Sequence, residues 1–500
     1  MEHRRDLWRV ISDRGNRDVA VHFLNIRGDK YLHNEHLGWY TLSRAGVWVH
    51  NGSAGHGPPV SMRRSISERM QKEADDLERA ERSAYAKSHT TMTEQQSKDM
   101  VKCLERIRSA RAHFAGADYT SAVMTMVKPY CDMPDLCDKM DMSPYILAFT
   151  DAVYDLNVCN VRPIAPTDYV SMTTGYAYPK QSDPVARAGL KRLLSSLFEN
   201  EETTNYLMRV LASCFLGLNR FEEYYVFTGS GGNGKGVIAE LMRTVFGSYY
   251  TEVEISLFTK PGDRRDAPCP QLVAARNKRV MVTEEPESED KLQAGFLKNL
   301  SGGNPIAVRA LYSPKIWTFV PPFKIFILTN EIPKLTQMDG GSERRLRVVK
   351  FPFKFVASDK ATDPCHRVGD PDVKERLCKS AAWRDEMCLM LTEVYATIKD
   401  LKSLPQPGEV SAATSSYVDA NNPTKEWLET HYTITGSDKD RIGAAVLKQA
   451  YMADLGLGFM SDQAFRSGME MNKGVAPIRK MTSGMVYTGL QRNGPPFQGM

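Results

Sequence analysis

Three short apolar runs in the middle of the chain are almost free of polar residues. They are YYVFT at 224–228, RVMVT at 279–283 and FKIFILT at 323–329. Polar residues bound each run, and the segments between them have helical character. Uninterrupted apolar strands are typical of a parallel sheet buried on both faces, and alternation with helices is typical of an α/β domain. The pattern over residues 221–356 therefore predicts an α/β domain with a parallel sheet.

The residues before this core show strand and helix patterns in turn. Residues 1–60 mix aromatic and turn residues, which predicts short strands, and NGSAGHGPP at their end marks a boundary. A charged helix is predicted from Ser65, which forms a capping box with Glu68. Its apolar stripe is predicted at Ile66, Met70, Ala74 and Leu77. Its wet side is predicted to carry the ion pairs Glu68–Lys72, Asp75–Arg79 and Glu78–Arg82.

Length and composition limit the class of protein. The chain has 500 residues, of which 42% are hydrophobic and 25% charged, as in a globular protein of two to four domains. No apolar run approaches the ~20 residues of a membrane span. The N-terminal MEHRRDLWRV also lacks the apolar stretch of a signal peptide. We therefore expect the protein on the cytosolic or nuclear side.

Charge and cysteine usage add little to this picture. A net charge of +5 does not by itself indicate nucleic-acid binding, so any DNA contact must come from local placement of Lys and Arg. The nine cysteines include no CxxC pair, and the spacing of Cys131 and Cys137 fits no common zinc pattern. We expect reduced thiols there, and ordinary surface histidines at His33 and His36.

The first apolar run leads into a glycine-rich loop. GSGGNGKG occupies Gly229, Ser230, Gly231, Gly232, Asn233, Gly234, Lys235 and Gly236, and the helical VIAELMRTVFG follows. Strand, glycine-rich loop and helix in this order predict a phosphate-binding loop, with backbone N–H groups and the helix N-terminus facing the anion. Lys235 would place its charge on the β- and γ-phosphates. Otherwise the segment is a glycine-rich turn before a helix.

The loop departs from the usual pattern at its last residue. The pattern ends in Lys followed by Ser or Thr, whose hydroxyl binds Mg²⁺. Gly236 offers no hydroxyl, although water can take the vacant position because Mg²⁺ commonly keeps several waters.

The other two apolar runs each end in polar residues. RVMVT is followed by Glu284 and Glu285, and FKIFILT by Asn330. We expect Glu284 to hold the metal and Glu285 to orient water, although the two roles are interchangeable and a solvated acidic turn is the alternative. An amide at Asn330 is placed to hold the attacking water or sense the γ-phosphate.

Two arginines precede a further apolar run. Arg344 and Arg345 lie in GGSERRLRVVKFPF, and the planar guanidinium suits spread phosphate charge. In a ring-shaped assembly such an arginine can reach the ATP of a neighbouring copy. The alternative is a basic turn on the surface.

A hairpin is predicted in PIAVRALYSPKIWTFVPPF, around the turn at Ser313 and Pro314. Arg309, Tyr312 and Lys315 lie on its arm and at its tip. Aromatic stacking with cations is what a sequence-tolerant single-strand contact requires, so these residues are the candidate DNA-binding residues. A purely structural hairpin is the alternative.

Taken in order, these segments resemble the viral and phage primase–helicase family, the poxvirus-type branch of superfamily 3 helicases. The resemblance rests on GSGGNGKG, RVMVTEEPE, LKNLSGGNPIAVRALY, FKIFILTNEIPKL and SERRLRVVKFPF. It covers roughly residues 120–490 and weakens at both ends. No paired metal-binding carboxylates stand out over 1–115, so primase activity is not expected.

The resemblance implies an AAA+-like P-loop ATPase core with a parallel sheet. It also implies a hexameric ring that uses ATP and Mg²⁺ to translocate on single-stranded DNA. Lys235, Glu285, Asn330 and Arg345 take their roles from matching positions. The implied division is a β-rich region at 1–60, a charged helical segment at 61–115, a pre-helicase domain at 116–220, the ATPase at 221–360 and a mainly helical, winged-helix-like region at 361–500.

The expected function is thus an ATP-dependent DNA helicase of a viral or phage replication system. The alternatives are a nucleotide-binding ring that serves as a DNA-binding scaffold, or a packaging or remodelling ATPase without strand separation. The expected partners are single-stranded or forked DNA, further copies of the chain and other replication proteins, but no membrane. The expected location is the cytoplasm or nucleus of an infected cell.

Overall fold

The computed structural model describes residues 10, 15–51, 60–88, 92–260, 268–283, 291–312, 315–336, 340–422, 424–472, 474–481 and 484–493. The chain divides into two compact units. The first comprises residues 1–143 and 163–172, and the second comprises residues 144–162 and 173–500.

Helices and a small sheet make up the first unit. Its helices are α1 (Asn16–Arg27), α2 (Val60–Ser88), α3 (Glu94–Phe114), α4 (Ala117–Cys131) and α5 (Leu136–Lys139). Its antiparallel strands are β1 (Tyr31–Asn34), β2 (Gly38–Leu42) and β3 (Trp48–His50). Helix α2 packs against α3 and α4, and α1 packs against α4. Apolar side chains from helices α1 to α4 form one core, which includes Phe23, Ile66, Phe114 and Val123.

The predicted charged helix is present but begins earlier than expected. Helix α2 starts at Val60, so the proposed capping box at Ser65 lies inside the helix and that prediction is wrong. The apolar stripe is confirmed, because its four residues are at most 2% exposed. Helix α1 was not predicted, because the pattern of residues 1–60 indicates strands and turns.

Only one of the three predicted ion pairs of this helix forms as expected. Glu78 and Arg82 lie 2.8 Å apart. Glu68 pairs instead with Arg64, and Asp75 with Arg111 of α3. Packing of α3 beside α2 therefore offers partners that spacing within one helix does not reveal.

The prediction for two cysteines agrees with the structure, whereas the prediction for His33 is wrong. Cys131 and Cys137 are buried free thiols, as expected. His33 is not a surface residue: it is 7% exposed, and its Nδ1 lies 2.6 Å from Asp132 Oδ1. Two residues distant in sequence therefore form a contact that local pattern did not indicate.

The second unit is built around a five-stranded parallel sheet, which confirms the predicted α/β fold. Its strands in chain order are β7 (Tyr224–Thr228), β8 (Tyr250–Glu252), β9 (Val280–Thr283), β13 (Lys324–Thr329) and β15 (Leu346–Lys350). Their spatial order is β15-β7-β13-β9-β8. Every residue of β7, β9 and β13 is buried, as the apolar runs predicted. All neighbours are parallel, so the carboxyl ends of the strands share one edge.

The remaining strands of this unit form small sheets or pairs. They are β4 (Ile146–Ala148), β5 (Val153–Asp155), β6 (Asn160–Arg162), β10 (Lys291–Leu292), β11 (Ile306–Arg309), β12 (Ile316–Phe319), β14 (Lys334–Leu335), β16 (Lys354–Val356), β17 (His366–Val368), β18 (Tyr432–Ile434), β19 (Arg441–Gly443), β20 (Ala476–Met481), β21 (Gly484–Thr488) and β22 (Leu490–Arg492). Strands β11 and β12 form the predicted antiparallel hairpin.

Helices pack on both the sheet and each other. They are α6 (Pro184–Ser195), α7 (Glu201–Ser213), α8 (Lys235–Phe246), α9 (Ser256–Thr259), α10 (Pro270–Ala274), α11 (Ala294–Ser301), α12 (Gly340–Arg345), α13 (Val373–Lys379), α14 (Ala381–Ile398), α15 (Gly408–Ala420), α16 (Lys425–His431), α17 (Ala444–Asp454) and α18 (Asp462–Glu470). Helix α14 contacts α6, α7 and α8, and α15 covers β15. Short 3-10 turns lie at Gly28–Lys30, Pro166–Asp168, Gly247–Tyr249 and Ser358–Lys360.

The last seventy residues of the described chain have an apolar core of their own, with Trp427, Leu447, Tyr451 and Phe465 among its members. Strand β19 is followed by α17, α18 and the β20–β21 hairpin, and the sheet order is β19-β21-β20. The winged-helix-like character predicted for residues 361–500 stays a prediction. Across the described residues, none of the helices has the length and apolar character to cross a membrane.

Candidate functional site: a phosphate-loop cavity at one edge of the sheet

The predicted phosphate loop joins β7 to α8 and requires glycine for its backbone path. Gly231, Gly232 and Gly234 have φ values of 82°, 64° and 90°, a region that residues with a Cβ rarely adopt. Gly234 also lies close to another element, because a Cβ there would be 2.5 Å from Cδ2 of Leu197. Backbone conformation and close packing therefore both require glycine at position 234.

The segment after β15 supports the loop from outside. The Phe351 N–H donates to the Thr228 carbonyl at 2.8 Å, and the Phe355 N–H donates to the Gly232 carbonyl at 2.8 Å. Asn233 is 3% exposed, so the loop is partly inside the protein. These contacts hold the loop in one conformation at the carboxyl end of β7.

Lys235 and Asn330 meet at this edge of the sheet. The Lys235 ammonium donates to the Gly229 carbonyl at 2.8 Å and to Oδ1 of Asn330 at 3.0 Å. Strands β7 and β13 are in register, with Thr228 opposite Thr329, so the residues that follow them are neighbours. Two residues that the sequence analysis selected separately therefore form one hydrogen-bonded site.

The loop faces a cavity of about 740 Å³. This volume is within the range of small-molecule sites, roughly 300–1,000 Å³. Its walls include the apolar side chains of Leu197, Phe355 and Trp383 and the charged side chains of Arg192 and Lys374. Sequence analysis did not identify these residues. They come from elements on either side of the loop in sequence, and no local motif marks them.

A second recess is lined by Lys235 and Gly236, by the end of β8 and by the segment that follows it. Glu252 and Glu254 line it. These carboxylates were not selected from the sequence, although the alternating TEVEI beside an apolar strand is a usable signal. Glu284 and Glu285, the predicted metal and water residues, lie outside the described residues. In the part of the chain that is described, no three His, Cys, Asp or Glu residues cluster in a metal-binding arrangement.

Arg344 and Arg345 lie at the opposite edge of the sheet. Leu346, directly after them, is in register with Tyr224 at the start of β7, one strand length or about 16 Å from the loop. The Nη2 atoms of Arg344 and Arg345 lie 3.0 and 2.7 Å from Oε2 of Glu222. The side chain of Arg345 is 9% exposed, whereas that of Arg344 is 67% exposed. Within one chain, neither arginine is brought to the loop.

Further charged residues lie at this edge of the sheet. Nη2 of Arg347 lies 2.8 Å from Oε1 of Glu223, whose side chain is 3% exposed. Burial raises the pKa of Glu223, although Arg347 and a hydrogen bond from Tyr225 oppose the shift. Lys324 donates to the carbonyls of Leu216 and Leu218 at 3.1 and 2.9 Å, and burial lowers its pKa to about 8.

The three candidate DNA-binding residues share the β11–β12 hairpin. Tyr312 is 96% exposed, and its φ of 57° places it in a turn. The Lys315 ammonium lies 4.3 Å from the ring centroid of Trp317, and the Arg276 guanidinium lies 3.9 Å from the same centroid. Arg309 is exposed on β11. Ser313 and Pro314, the predicted turn, are outside the described residues.

Two family models match the chain. Residues 20–200 match the model described as "D5 N terminal like", and residues 227–345 match one described as "Family of unknown function (DUF5906)". The second match contains the phosphate loop, Asn330 and both arginines.

Related viral proteins carry helicase names. The protein named "Putative helicase" from Acanthamoeba polyphaga mimivirus is 31% identical over 268 residues, covering 52% of this chain and 28% of that protein. One of the same name from Invertebrate iridescent virus 6 is 23% identical over 480 residues, covering 87% of this chain and 49% of that protein. The chain thus spans half or less of the length of these relatives.

Solved structures overlap with the chain only loosely. The apo C-terminal region of NrS-1 is 13% identical, with a TM-score of 0.37, over 70% of this chain and 82% of that one. JCV helicase with a bound small molecule is 12% identical, with a TM-score of 0.28, over 72% of this chain and 85% of that one. By sequence, the chain is similar to viral proteins named as putative helicases, and its residues 20–200 match the model described as "D5 N terminal like".

Proposed function

We propose that the chain is the ATPase part of a viral DNA helicase of the superfamily 3 type, which hydrolyses ATP to move along single-stranded DNA. The observation that carries this proposal is the contact between the Lys235 ammonium and Oδ1 of Asn330 at the carboxyl edge of the sheet. Together with the glycine loop, it places a cation, backbone donors and a polar amide around a nucleotide-sized cavity.

Lys235 would exchange partners when nucleotide binds. Its ammonium has three donors and contacts the Gly229 carbonyl and Asn330. A phosphate oxygen is a charged acceptor and forms a stronger hydrogen bond than a carbonyl. As Lys235 turns to phosphate, the Asn330 amide is positioned beside the γ-phosphate, where it would hold the attacking water.

In this site, Mg²⁺ would be held mainly by the phosphates of the bound nucleotide. Mg²⁺ prefers oxygen ligands and is usually held by one or two carboxylates, substrate phosphates and water. Glu252 and Glu254 supply carboxylates in the recess beside Lys235, and Glu284 and Glu285 remain the candidates selected from the sequence. When bound, the ion would neutralise charge on the β- and γ-phosphate oxygens.

We propose that the chains form a ring, with a hexamer as the expected form, and the position of the arginines supports this. Arg344 and Arg345 precede the start of β15 and therefore lie about 16 Å from the loop of their own chain. An arginine at this edge is suited to a nucleotide held by a second copy. Arg344, 67% exposed, is more available for this role than Arg345.

The exposed hairpin supports a contact with single-stranded DNA. Tyr312 offers a ring for stacking, and Lys315 and Arg309 offer positive charge for phosphates. Lys315→Ala should weaken DNA binding and lower the slope of log affinity against log salt by about 0.7. Fluorescence anisotropy with a labelled oligonucleotide at several salt concentrations measures both quantities. An unchanged slope would mean that the hairpin is structural.

Gly236 favours one alternative, a ring that holds nucleotide without efficient turnover, because the metal-binding hydroxyl is missing. ATP hydrolysis with and without single-stranded DNA separates the two functions, and strand displacement on a forked substrate separates a helicase from a packaging or remodelling ATPase. We expect DNA-stimulated hydrolysis and strand separation. We also place the protein at the site of viral DNA replication in the infected cell.

A further inference from the structure

Helix α13 is held against α8, the helix that follows the phosphate loop. Leu377 is 1% exposed, and the Cys378 thiol donates to Oε1 of Glu240 on α8 at 3.2 Å. Lys374 is four residues before Cys378 and therefore lies on the same face of α13. This anchoring directs Lys374 towards the start of α8.

The Lys374 ammonium lies beside the loop residue that departs from the usual pattern. A Cβ on Gly236 would lie 3.4 Å from Nζ of Lys374 and 3.8 Å from its Cε. Position 236 is where a phosphate loop usually carries the hydroxyl that binds Mg²⁺. A lysine from a distant part of the sequence therefore stands next to the place where that hydroxyl would project.

Of the three positively charged side chains on α13, Lys374 is the one that forms no ion pair with a carboxylate of the described residues. Arg376 pairs with Asp370 at 2.8 Å, and Lys379 pairs with Glu375 at 2.6 Å. Across the ranges that the structure describes, Lys374 has no carboxylate within ion-pair distance. It is exposed and lines the same cavity as Lys235. Its positive charge is thus available to an anion in that cavity.

We propose that Lys374 binds the nucleotide phosphates from the side of Gly236, opposite Lys235. The two ammonium groups would share the neutralisation that a hydroxyl-held metal provides in other phosphate loops. Nucleotide affinity should then depend less on magnesium than in a loop with serine or threonine at this position. This inference rests on the proposed nucleotide binding at the loop.

Equilibrium binding of a non-hydrolysable ATP analogue to the full chain tests the inference, with EDTA and with excess magnesium. In EDTA, Lys374→Met should weaken binding about tenfold, the size of one charge-assisted hydrogen bond. With magnesium the loss should be smaller, and Lys374→Arg should restore affinity. Lys379→Met is the matched control, since it removes a paired lysine from the same helix. Melting temperatures verify that each variant is folded.

The outcomes separate the inference from the proposed function. If the wild-type chain and Lys374→Met bind equally well in EDTA, Lys374 does not contact phosphate, whereas nucleotide binding at the loop stands. If the wild-type chain binds no analogue under either condition, both fail. Gly236→Ser in the Lys374→Met background should recover affinity only with magnesium, and recovery in EDTA would contradict the proposed exchange of lysine for hydroxyl.

Discussion

The two edges of the parallel sheet use charged residues in opposite ways. At the carboxyl edge, Lys235 contacts a backbone carbonyl and the amide of Asn330. At the amino edge, Arg345 and Arg347 are matched by Glu222 and Glu223. Because the acceptors around Lys235 are neutral, its positive charge can still attract an anion. The charges of Arg345 and Arg347 are already neutralised by carboxylates of the same chain.

We therefore expect the two edges to differ in function, with the carboxyl edge serving nucleotide binding and the amino edge serving stability. Buried ion pairs cost desolvation energy, and the loss of one partner leaves an uncompensated charge. Changes at the amino edge should therefore affect unfolding most, and changes at the carboxyl edge should affect nucleotide binding and turnover most. The following predictions test that contrast.

The largest effect is expected from Lys235→Ala, at the carboxyl edge. Removal of the ammonium that we propose to bind the phosphates should lower ATP turnover on the order of 10³-fold, since one preorganised donor contributes about that much. Steady-state phosphate release measures the loss. The midpoint of urea unfolding should change little. Retained turnover would place the active loop elsewhere in the chain.

Glu223→Gln, at the amino edge, should destabilise the chain by about 3 kcal/mol because it leaves the half-buried Arg347 without its carboxylate. Urea unfolding measures this change. Glu375→Gln is the control, since that carboxylate belongs to an exposed pair on α13. Equal midpoints for the two variants would show that the amino-edge pair is not a source of stability.

Lys324 should make stability depend on alkaline pH. Its pKa falls from the ordinary 10.5 to about 8 because it is buried, so the folded chain binds fewer protons than the unfolded chain between these values. The free energy of unfolding should therefore rise with pH across that window, by roughly 3 kcal/mol in total. The difference between the wild type and Lys324→Met, measured by urea unfolding from pH 7 to 10.5, isolates this effect. A difference that does not vary with pH would mean that burial does not lower the pKa of Lys324.

The smallest effect on stability is expected from Arg344→Ala. Its side chain is 67% exposed, and an exposed ion pair contributes less than about 1 kcal/mol. Arg345→Ala should cost more, because Arg345 shares Glu222 but is buried. Thermal or urea unfolding ranks the two variants. The reverse order would contradict the burial difference between the two arginines.

Local sequence patterns were sufficient to predict the strands at the core of the second unit. Strands β7, β9 and β13 and the β11–β12 hairpin appear where the apolar runs and turn residues predicted them, because uninterrupted apolar runs have few alternatives to a buried strand. The contact between Lys235 and Asn330 also required β13 to lie next to β7, which the sequence patterns did not predict.

Contacts between distant segments were beyond the sequence patterns. Nothing in the sequence around Lys374 indicates that α13 lies beside the loop. The match of Arg345 with Glu222 depends on the register of β15 with β7, which neither strand reveals alone. In the first unit, helix α1 was missed because Val19, Ala20 and Phe23 gain their burial from α2, α3 and α4 rather than from a strong local pattern.

Binding of ATP to the wild-type chain and to Lys235→Ala, compared by titration calorimetry with magnesium present, tests the central claim most directly. The account predicts saturable binding of one nucleotide per chain that is lost in the folded variant. Equal binding by both proteins, or none by the wild type, would contradict it.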